Sequence, residues 1–331
     1  MSSPEFQIPA GSKRVIIFDT NAYRVLSHGL TPNDSHVKAL QLRRCEQTAE
    51  VFVLASPVVG WELITHLADL GDPARVHCLN ALIFLGEHTL SPTAANGGIC
   101  LFADSESTVC RELFHRLPPG YEAGIQNLGS LVTYIVRNAP NLTDAVAVQN
   151  IKTIAAAMTA GEQAWLNQMK TVLAICDPNA ARVVFGGRDD NEVLKKVRAF
   201  FGTEMFMEAW ATWMVVTHAA KVNHLINSPE ELRQKTAVLR TEFSVPFQLM
   251  SALLKKLTTP QPPNLANPKK KRWNFVCDSM IAFSIGSSHE IAGAPMYLVT
   301  GDREISEAAK AAGCDDRVLT LDEYLKSVGF P

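Results

Sequence analysis

Four acidic residues lie in or beside apolar segments at widely spaced positions of the chain. Asp19, Asp278 and Asp302 each follow an apolar run, and Glu62 lies in a helical segment beside another run. Such runs are typical of parallel strands that are buried on both faces of a sheet. In open parallel sheets, the reactive groups lie beyond the carboxyl ends of the strands. We therefore expect the four carboxylates to gather at one edge of a sheet.

Carboxylates gathered without a cationic partner repel one another, which raises their pKa values or recruits a cation. A set of ligands that offers only oxygen atoms suits hard ions such as Mg²⁺ or Mn²⁺. Asp19, Glu62, Asp278 and Asp302 therefore predict a site for one or two divalent ions. Bound ions of this kind activate water and stabilise the charge that develops when a phosphodiester is hydrolysed.

The segments that contain these acids resemble the PIN-domain nucleases, and are most similar to the VapC-like toxins and their relatives. The four segments are residues 18–23, 56–63, 278–282 and 298–302. The resemblance covers only the two ends of the chain, residues 13–88 and 272–331. It implies a small three-layer α/β/α domain with a parallel sheet, four acids around Mg²⁺ or Mn²⁺, and cleavage of single-stranded RNA to products with a 5′-phosphate and a 3′-hydroxyl.

The same resemblance assigns roles to the acids. It implies that Asp19, Asp278 and Asp302 are metal ligands, directly or through water, and that Glu62 orients a bound water or makes an outer contact. The alternative for each acid is an ordinary helix cap or a surface charge. The occurrence of all four in the order found in the family favours the metal site.

Polar residues next to the acids are candidates for a supporting role. Thr20, Asn21 and Thr300 can orient ligands or bind phosphate, but Asn and Thr are also favoured at strand-to-helix turns because their side chains cap the backbone. His66 follows Glu62 by four residues on the same helix face, although most single histidines on a helix are solvated or structural. Arg303 can contact a substrate phosphate or simply neutralise the acids.

A basic cluster precedes the third acid. It consists of Lys269, Lys270, Lys271 and Arg272, and Trp273 follows it directly. The cluster can guide an RNA strand by its charge, and the indole can stack on a base. A charge run in a proline-rich linker is, however, more often a solvated surface, and an aromatic residue at a domain junction usually packs.

Strand and helix signals alternate at both ends of the chain, which predicts a parallel sheet with helical crossovers. Strands are expected at 15–18, 49–55, 275–277, 296–299 and 318–320. Helices are expected after Asn21, from Ser56–Pro57 to Gly71, and at 74–85, 278–287, 304–312 and 321–328. Ser56 offers an N-cap and Pro57 suits the first helical position.

A long region separates the second acid from the third. Glu62 and Asp278 are 216 residues apart, and a compact α/β domain does not hold such a stretch as a loop. Residues 89–271 are therefore predicted to form a mostly α-helical insertion that ends in a Pro- and Lys-rich linker. Its helices are expected at 123–137, 144–160, 162–175, 191–201, 204–226 and 229–257, with Pro246 bending or dividing the last.

Composition favours an intracellular globular protein. Hydrophobic content is 47% and charged content 19%, which argues against general disorder. No secretory signal and no span of ~20 apolar residues is apparent, so a cytoplasmic location without a membrane partner is expected. The seven cysteines are odd in number and form no Cys-x-x-Cys pair, as in reduced thiols. A net charge of −2 gives RNA binding no general support.

These observations favour a metal-dependent endoribonuclease, a hydrolase acting on single-stranded or structured RNA, as a toxin or defence effector. The resemblance adds a possible antitoxin or other regulatory partner and a homodimer. One alternative is a PIN-like scaffold that binds RNA or protein without catalysis. A haloacid-dehalogenase-like phosphatase also has an Asp after its first strand, but it needs a second Asp where this chain has Asn21, and no lysine motif precedes the last acids.

Overall fold

The computed structural model describes most of the chain. The described residues are 11–90, 101, 104–187, 190–258, 274–286, 290–291 and 293–331. The predicted basic cluster of Lys269, Lys270, Lys271 and Arg272, together with Trp273, lies outside them.

The centre of the fold is a small, mostly parallel sheet. Strand β1 (Arg14–Phe18) pairs in parallel with β2 (Val51–Leu54) on one side and with β4 (Ala294–Val299) on the other. Strand β5 (Val318–Leu319) pairs in parallel with the end of β4, and β3 (Glu290–Ile291) pairs antiparallel with its start. The two ends of the chain thus meet in one sheet, which confirms the α/β class.

The helices that flank the sheet come from both ends of the chain. The N-terminal ones are α1 (Thr20–Leu26), α2 (Pro32–Thr48), α3 (Pro57–Thr65) and α4 (Arg75–His88). The C-terminal ones are α13 (Asn274–Ile281), followed by a 3₁₀ turn at Ala282–Ser284, then α14 (Arg303–Ala311) and α15 (Leu321–Ser327). Pro57 occupies the predicted first helical position, but the Ser56 side chain makes no capping hydrogen bond.

The region between α4 and α13 is mostly helical where it is described, as expected, and Leu101 forms an isolated parallel bridge with Ala55. Its helices are α5 (Ser105–Phe114), α6 (Tyr121–Asn138), α7 (Ala145–Cys176), α8 (Ala180–Arg182), α9 (Asn191–Phe200), α10 (Glu204–Lys221), α11 (Pro229–Glu242) and α12 (Ser244–Leu257). A π-helical turn, Val183–Gly187, follows α8.

Three local expectations are wrong. Residues 275–277 belong to α13 and not to a strand, so Asp278 lies inside a helix. The two helices expected on either side of Gly161 are one helix of 32 residues, α7, because a glycine in a long helix costs only about 1 kcal/mol and does not break it. Helix α3 ends at Thr65, before the expected stop at Gly71.

Two apolar cores are present in the described part of the chain. The first surrounds the sheet and includes Ile16 and Ile17 together with Leu128 of α6 and Leu249 of α12. The second lies among the helices of the middle region and is centred on aromatic residues, among them Phe206. The first core therefore contains side chains from residues 89–271 as well as from the sheet. The predicted division into a catalytic domain and an insertion stays a prediction.

Helix length and polarity also bear on membrane contact. Within the described ranges, every helix is too short or too polar to cross a lipid bilayer.

Candidate active site

The two central strands end side by side and bring the first acid next to a buried threonine. Phe18 is the register partner of Val299, and the Asp19 N–H donates to the Val299 carbonyl oxygen at 3.0 Å. One residue further along β4, the Thr300 hydroxyl donates to Asp19 Oδ2. Both side chains are almost completely buried. The carboxyl edge of the sheet therefore holds Asp19 in a fixed position.

Two of the acids also cap helices. Asp19 Oδ1 accepts from the Ala22 N–H at 2.6 Å at the start of α1. Asp302 Oδ1 accepts from the N–H groups of Glu304 at 2.7 Å and Ile305 at 3.0 Å at the start of α14. Helix N-termini stabilise negative charge. Both residues therefore cap a helix, which was the alternative considered from sequence, and each caps it through only one carboxylate oxygen.

Glu62 lies in the second turn of α3 and contacts the residue that follows Asp19. The Thr20 hydroxyl, directly after Asp19, donates to Glu62 Oε2 at 2.6 Å. Burial raises the pKa of Glu62, while the hydrogen bond from Thr20 and the charges of Arg24 and His66 lower it. Thr20 thus links the acid after β1 to the acid on α3, which is a more specific function than the backbone cap considered from sequence.

Asp278 differs from the other three acids because it lies inside a helix and caps nothing. Helix α13 packs against α3 and so brings Asp278 toward Glu62. Within the described residues, no hydrogen-bond donor contacts the Asp278 carboxylate. Burial raises its pKa well above the ordinary value, and the charges of Asp302, Glu62 and Asp19 raise it further. A carboxylate whose pKa is raised in this way either holds a proton or binds a cation.

The charges of neighbouring acids raise the pKa values of Asp19 and Asp278, which indicates that the four carboxylates lie near one another. Burial raises the pKa of Asp19 to about 6 against the hydrogen bonds from Thr300 and Ala22, and the charges of Asp302 and Glu62 add to the rise. Asp278 in turn is affected by all three other acids. The structure therefore brings together side chains that the sequence separates by as many as 283 residues.

The chemistry of these side chains is compatible with a divalent ion, but their arrangement is not that of a complete metal-binding site. All four offer hard oxygen atoms, and among the described residues Asp278 has no hydrogen-bond partner that a cation would have to displace. Nevertheless, across the described ranges no three His, Cys, Asp or Glu side chains are close enough together to hold a metal ion. The cluster matches Mg²⁺ or Mn²⁺ in ligand type and charge, and binding requires the carboxylates to close inward.

Two basic side chains lie near Glu62, and only one was considered from sequence. The Arg24 charge lowers the pKa of Glu62, yet the guanidinium forms no ion pair with any described residue. His66, the expected neighbour, hydrogen-bonds through Nδ1 to Asp72 Oδ2 at 2.8 Å and so is partly occupied. Arg24 had no sequence signal, because it follows Asp19 by five residues in an ordinary helix.

Two further acids extend the cluster. Glu162 lies in the middle of α7; burial raises its pKa, and the charge of Glu62 adds to this. Glu304 follows Asp302, pairs with Lys256 of α12 and adds to the rise at Asp278. Neither residue was predicted, since proximity of α7 and α12 to the sheet has no signature in a single sequence.

The remaining candidates are less closely connected with the acids. Asn21 is exposed on the first turn of α1. The Arg303 side chain is 88% exposed and donates from Nε to Glu307 at 2.7 Å, which directs it along the outside of α14. The structure gives Thr300 a defined role at Asp19 and gives neither Asn21 nor Arg303 a contact with the acids.

Comparisons with known protein families, curated proteins and solved structures found no match to this chain. The likeness to PIN domains therefore depends on the four sequence segments described above.

Proposed function

We propose that this protein is a metal-dependent endoribonuclease with a PIN-like catalytic sheet. The observation that supports the proposal best is the cluster of Asp19, Glu62, Asp278 and Asp302. Its members come from distant parts of the chain, and the charges of neighbouring acids raise the pKa values of Asp19 and Asp278. Burying several carboxylates together is costly without a compensating cation. Structural needs alone do not explain Asp278, which caps no helix.

The side chains of the site would act together as follows. Asp19, Asp278 and Asp302 would hold Mg²⁺ or Mn²⁺, which supplies charge neutralisation and an activated water. Thr300 and the Ala22 N–H each donate to one oxygen of Asp19 and so fix the orientation of its carboxylate. Thr20 orients Glu62 to accept a proton from water or to hold it by an outer contact. Arg24 lies where a guanidinium can neutralise a non-bridging phosphate oxygen as charge develops.

RNA is the proposed substrate because the sequence segments around the acids resemble RNA-cleaving enzymes. A toxin or defence role and an antitoxin partner are proposed on the same resemblance, as are a homodimer and a cytoplasmic location. The middle region is proposed to select the substrate or to control access to the acids.

A PIN-like scaffold without cleavage is the second candidate. It is favoured by one observation: within the described residues, the acids are not close enough to form a metal-binding group of three. A scaffold of this kind would bind RNA or a protein and would leave the carboxylates protonated or capped.

The proposal is tested by Mn²⁺-dependent cleavage of a mixed pool of single-stranded RNA and tRNA. Asp278→Asn removes the acid that caps no helix, and Asp322→Asn serves as a matched control because Asp322 is an exposed acid on the first turn of α15. We expect the wild type and Asp322→Asn to cleave equally, and Asp278→Asn and EDTA-treated protein to be inactive. Equal cleavage by Asp278→Asn, or none by the wild type with either ion, would contradict the proposal.

A further inference from the structure

A concave site lies between α3, α6 and α7, and it shares α3 with Glu62 of the acid cluster. It is a cavity of about 420 Å³, within the size range of small-molecule sites. Leu128 and Ile154 supply apolar walls, and Trp61 and Tyr121 supply aromatic rings. None of these residues was a candidate in the sequence analysis.

The aromatic rings are partly exposed and held by their surroundings. Trp61 and Tyr121 are both half-buried, so a ring surface is accessible from the cavity. Burial raises the pKa of Tyr121, and the nearby Ser107 hydroxyl lowers it, which places the phenol beside the first turn of α5. Partly exposed rings of this kind are the surfaces on which unpaired bases stack.

Two amide side chains provide polar groups at the rim. Asn127 on α6 and Asn150 on α7 both line the cavity, and both are exposed. Neither side-chain amide hydrogen-bonds to another described residue. Asp104 also lines the cavity, but its Oδ1 accepts from the Ser107 N–H at 2.8 Å and caps α5. The polar groups that line the cavity therefore include two neutral amides, which donate and accept hydrogen bonds as base edges do, together with Thr153 and the second oxygen of Asp104.

The cavity and the acid cluster share two helices. Trp61 directly precedes Glu62 on α3. Glu162 of α7 is close enough for Glu62 to raise its pKa, while Asn150 and Ile154 lie two to three turns earlier on the same helix. A polymer that reaches the acids is therefore adjacent to the cavity, whereas an unrelated metabolite gains nothing from that position.

We propose that this cavity binds one unpaired nucleobase of the RNA strand whose backbone lies at the acid cluster. The inference depends on the proposed function. Trp61 stacks on the base, Tyr121 closes the apolar side, and Asn127 and Asn150 contact its polar edge. The cavity makes the enzyme selective for a base next to the cleaved bond, and it requires that base to be unpaired.

The test separates base binding from cleavage. Binding of fluorescent eight-nucleotide homopolymers of A, C and U is measured by anisotropy in EDTA, with Asp278→Asn as the parent protein. Trp61→Ala is expected to weaken binding about 5- to 100-fold, and Trp61→Phe to retain most of the affinity because it keeps a ring. Asn127→Ala with Asn150→Ala is expected to reduce the preference among homopolymers.

Asn167→Ala is the matched control, since Asn167 is an exposed amide on α7 outside the cavity; we expect wild-type binding from it. The double asparagine variant changes only exposed side chains, so it tests the cavity even if Trp61→Ala folds poorly. Unchanged binding by the tryptophan and asparagine variants overturns the inference. Failure of the parent protein to bind any oligonucleotide overturns it too, and so does displacement of bound RNA by an unrelated peptide at this cavity.

Failure of the base-site proposal and failure of the nuclease proposal give different results. Trp61-dependent binding in a wild type that does not cleave supports the base site and contradicts the nuclease. Metal-dependent cleavage with no Trp61 or asparagine effect on binding supports the nuclease and overturns the base site.

Discussion

Thr300 at the end of β4 donates its hydroxyl hydrogen to the Asp19 carboxylate at the end of β1. The two residues are 281 positions apart in the chain, and both are buried. The hydrogen bond lowers the pKa of Asp19 against the effect of burial. It therefore controls how much of the carboxylate is ionised near neutral pH.

Thr300→Val should shift the ionisation of Asp19 upward, because the substitution removes the donor that stabilises the charged form. Loss of one buried hydrogen bond costs about 1–3 kcal/mol, so the pH midpoint of Mn²⁺ binding should rise by about one unit. Calorimetric titrations between pH 5 and 8 measure this. Thr300→Ser keeps the hydroxyl and should behave like the wild type; an identical midpoint for Thr300→Val would show that the bond has no influence.

Asp19 should make the metal-free protein less stable as the pH rises. Its pKa is about 6 in the folded protein against the ordinary value of 3.8 for an aspartate side chain, so the folded state keeps a proton that the unfolded state releases. The resulting stabilisation is complete below pH 3.8 and is lost as the pH rises through 6. Two units correspond to about 3 kcal/mol.

Urea unfolding in EDTA at pH 4 and pH 7 measures this effect. Relative to Asp19→Asn, the wild type should lose about 2.5 kcal/mol of unfolding free energy between the two pH values, because a small part of the full difference is already lost at pH 4. Saturating Mg²⁺ at pH 7 should restore part of the loss. A constant difference between the two proteins across this pH range would contradict the assignment of the pKa to Asp19.

Arg24→Met should impair cleavage more than metal binding. The guanidinium lowers the pKa of Glu62 and forms no ion pair within the described residues, so it is free to contact phosphate. Removing one such preorganised donor typically costs about 10²- to 10³-fold in kcat. Arg44→Met, at an exposed position of α2, is the control. A loss of Mn²⁺ affinity equal to the loss in kcat would assign Arg24 a structural role instead.

A buried polar network that packs against Phe18 should matter for stability and not for catalysis. His88 Nε2 contacts both Glu46 oxygens, at 2.7 and 2.8 Å, and the Tyr324 hydroxyl donates to Glu46 Oε1 at 2.6 Å. Tyr324→Phe leaves a buried acceptor short of a donor and should cost about 1–3 kcal/mol in urea unfolding. Tyr297→Phe, whose hydroxyl makes no hydrogen bond with the described residues, should change stability by less than about 0.5 kcal/mol.

Local sequence signals predicted much of the sheet. The apolar run before Asp19 is a buried central strand, and Asp302 begins a helix where expected. These features depend on neighbouring residues. The prediction of a strand at residues 275–277 was wrong, because a short apolar run fits a buried strand and a buried helix equally well.

Contacts between distant segments could not be predicted from one sequence. The Thr20–Glu62 hydrogen bond, the position of Arg24 and the approach of Glu162 all depend on how α1, α3 and α7 pack. The Trp61 cavity likewise depends on the packing of α3 against α6 and α7. Tertiary packing, and not local propensity, determines these relationships.

The central claim is that the acid cluster binds a divalent ion, and a Mn²⁺ titration followed by electron paramagnetic resonance tests it most directly. Wild type, Asp278→Asn and Asp322→Asn are compared at pH 7.5, where Asp19 is ionised. We expect saturable binding that is at least about tenfold weaker in Asp278→Asn and unchanged in Asp322→Asn. Equal affinity in all three proteins, or no saturable binding by the wild type, would contradict it.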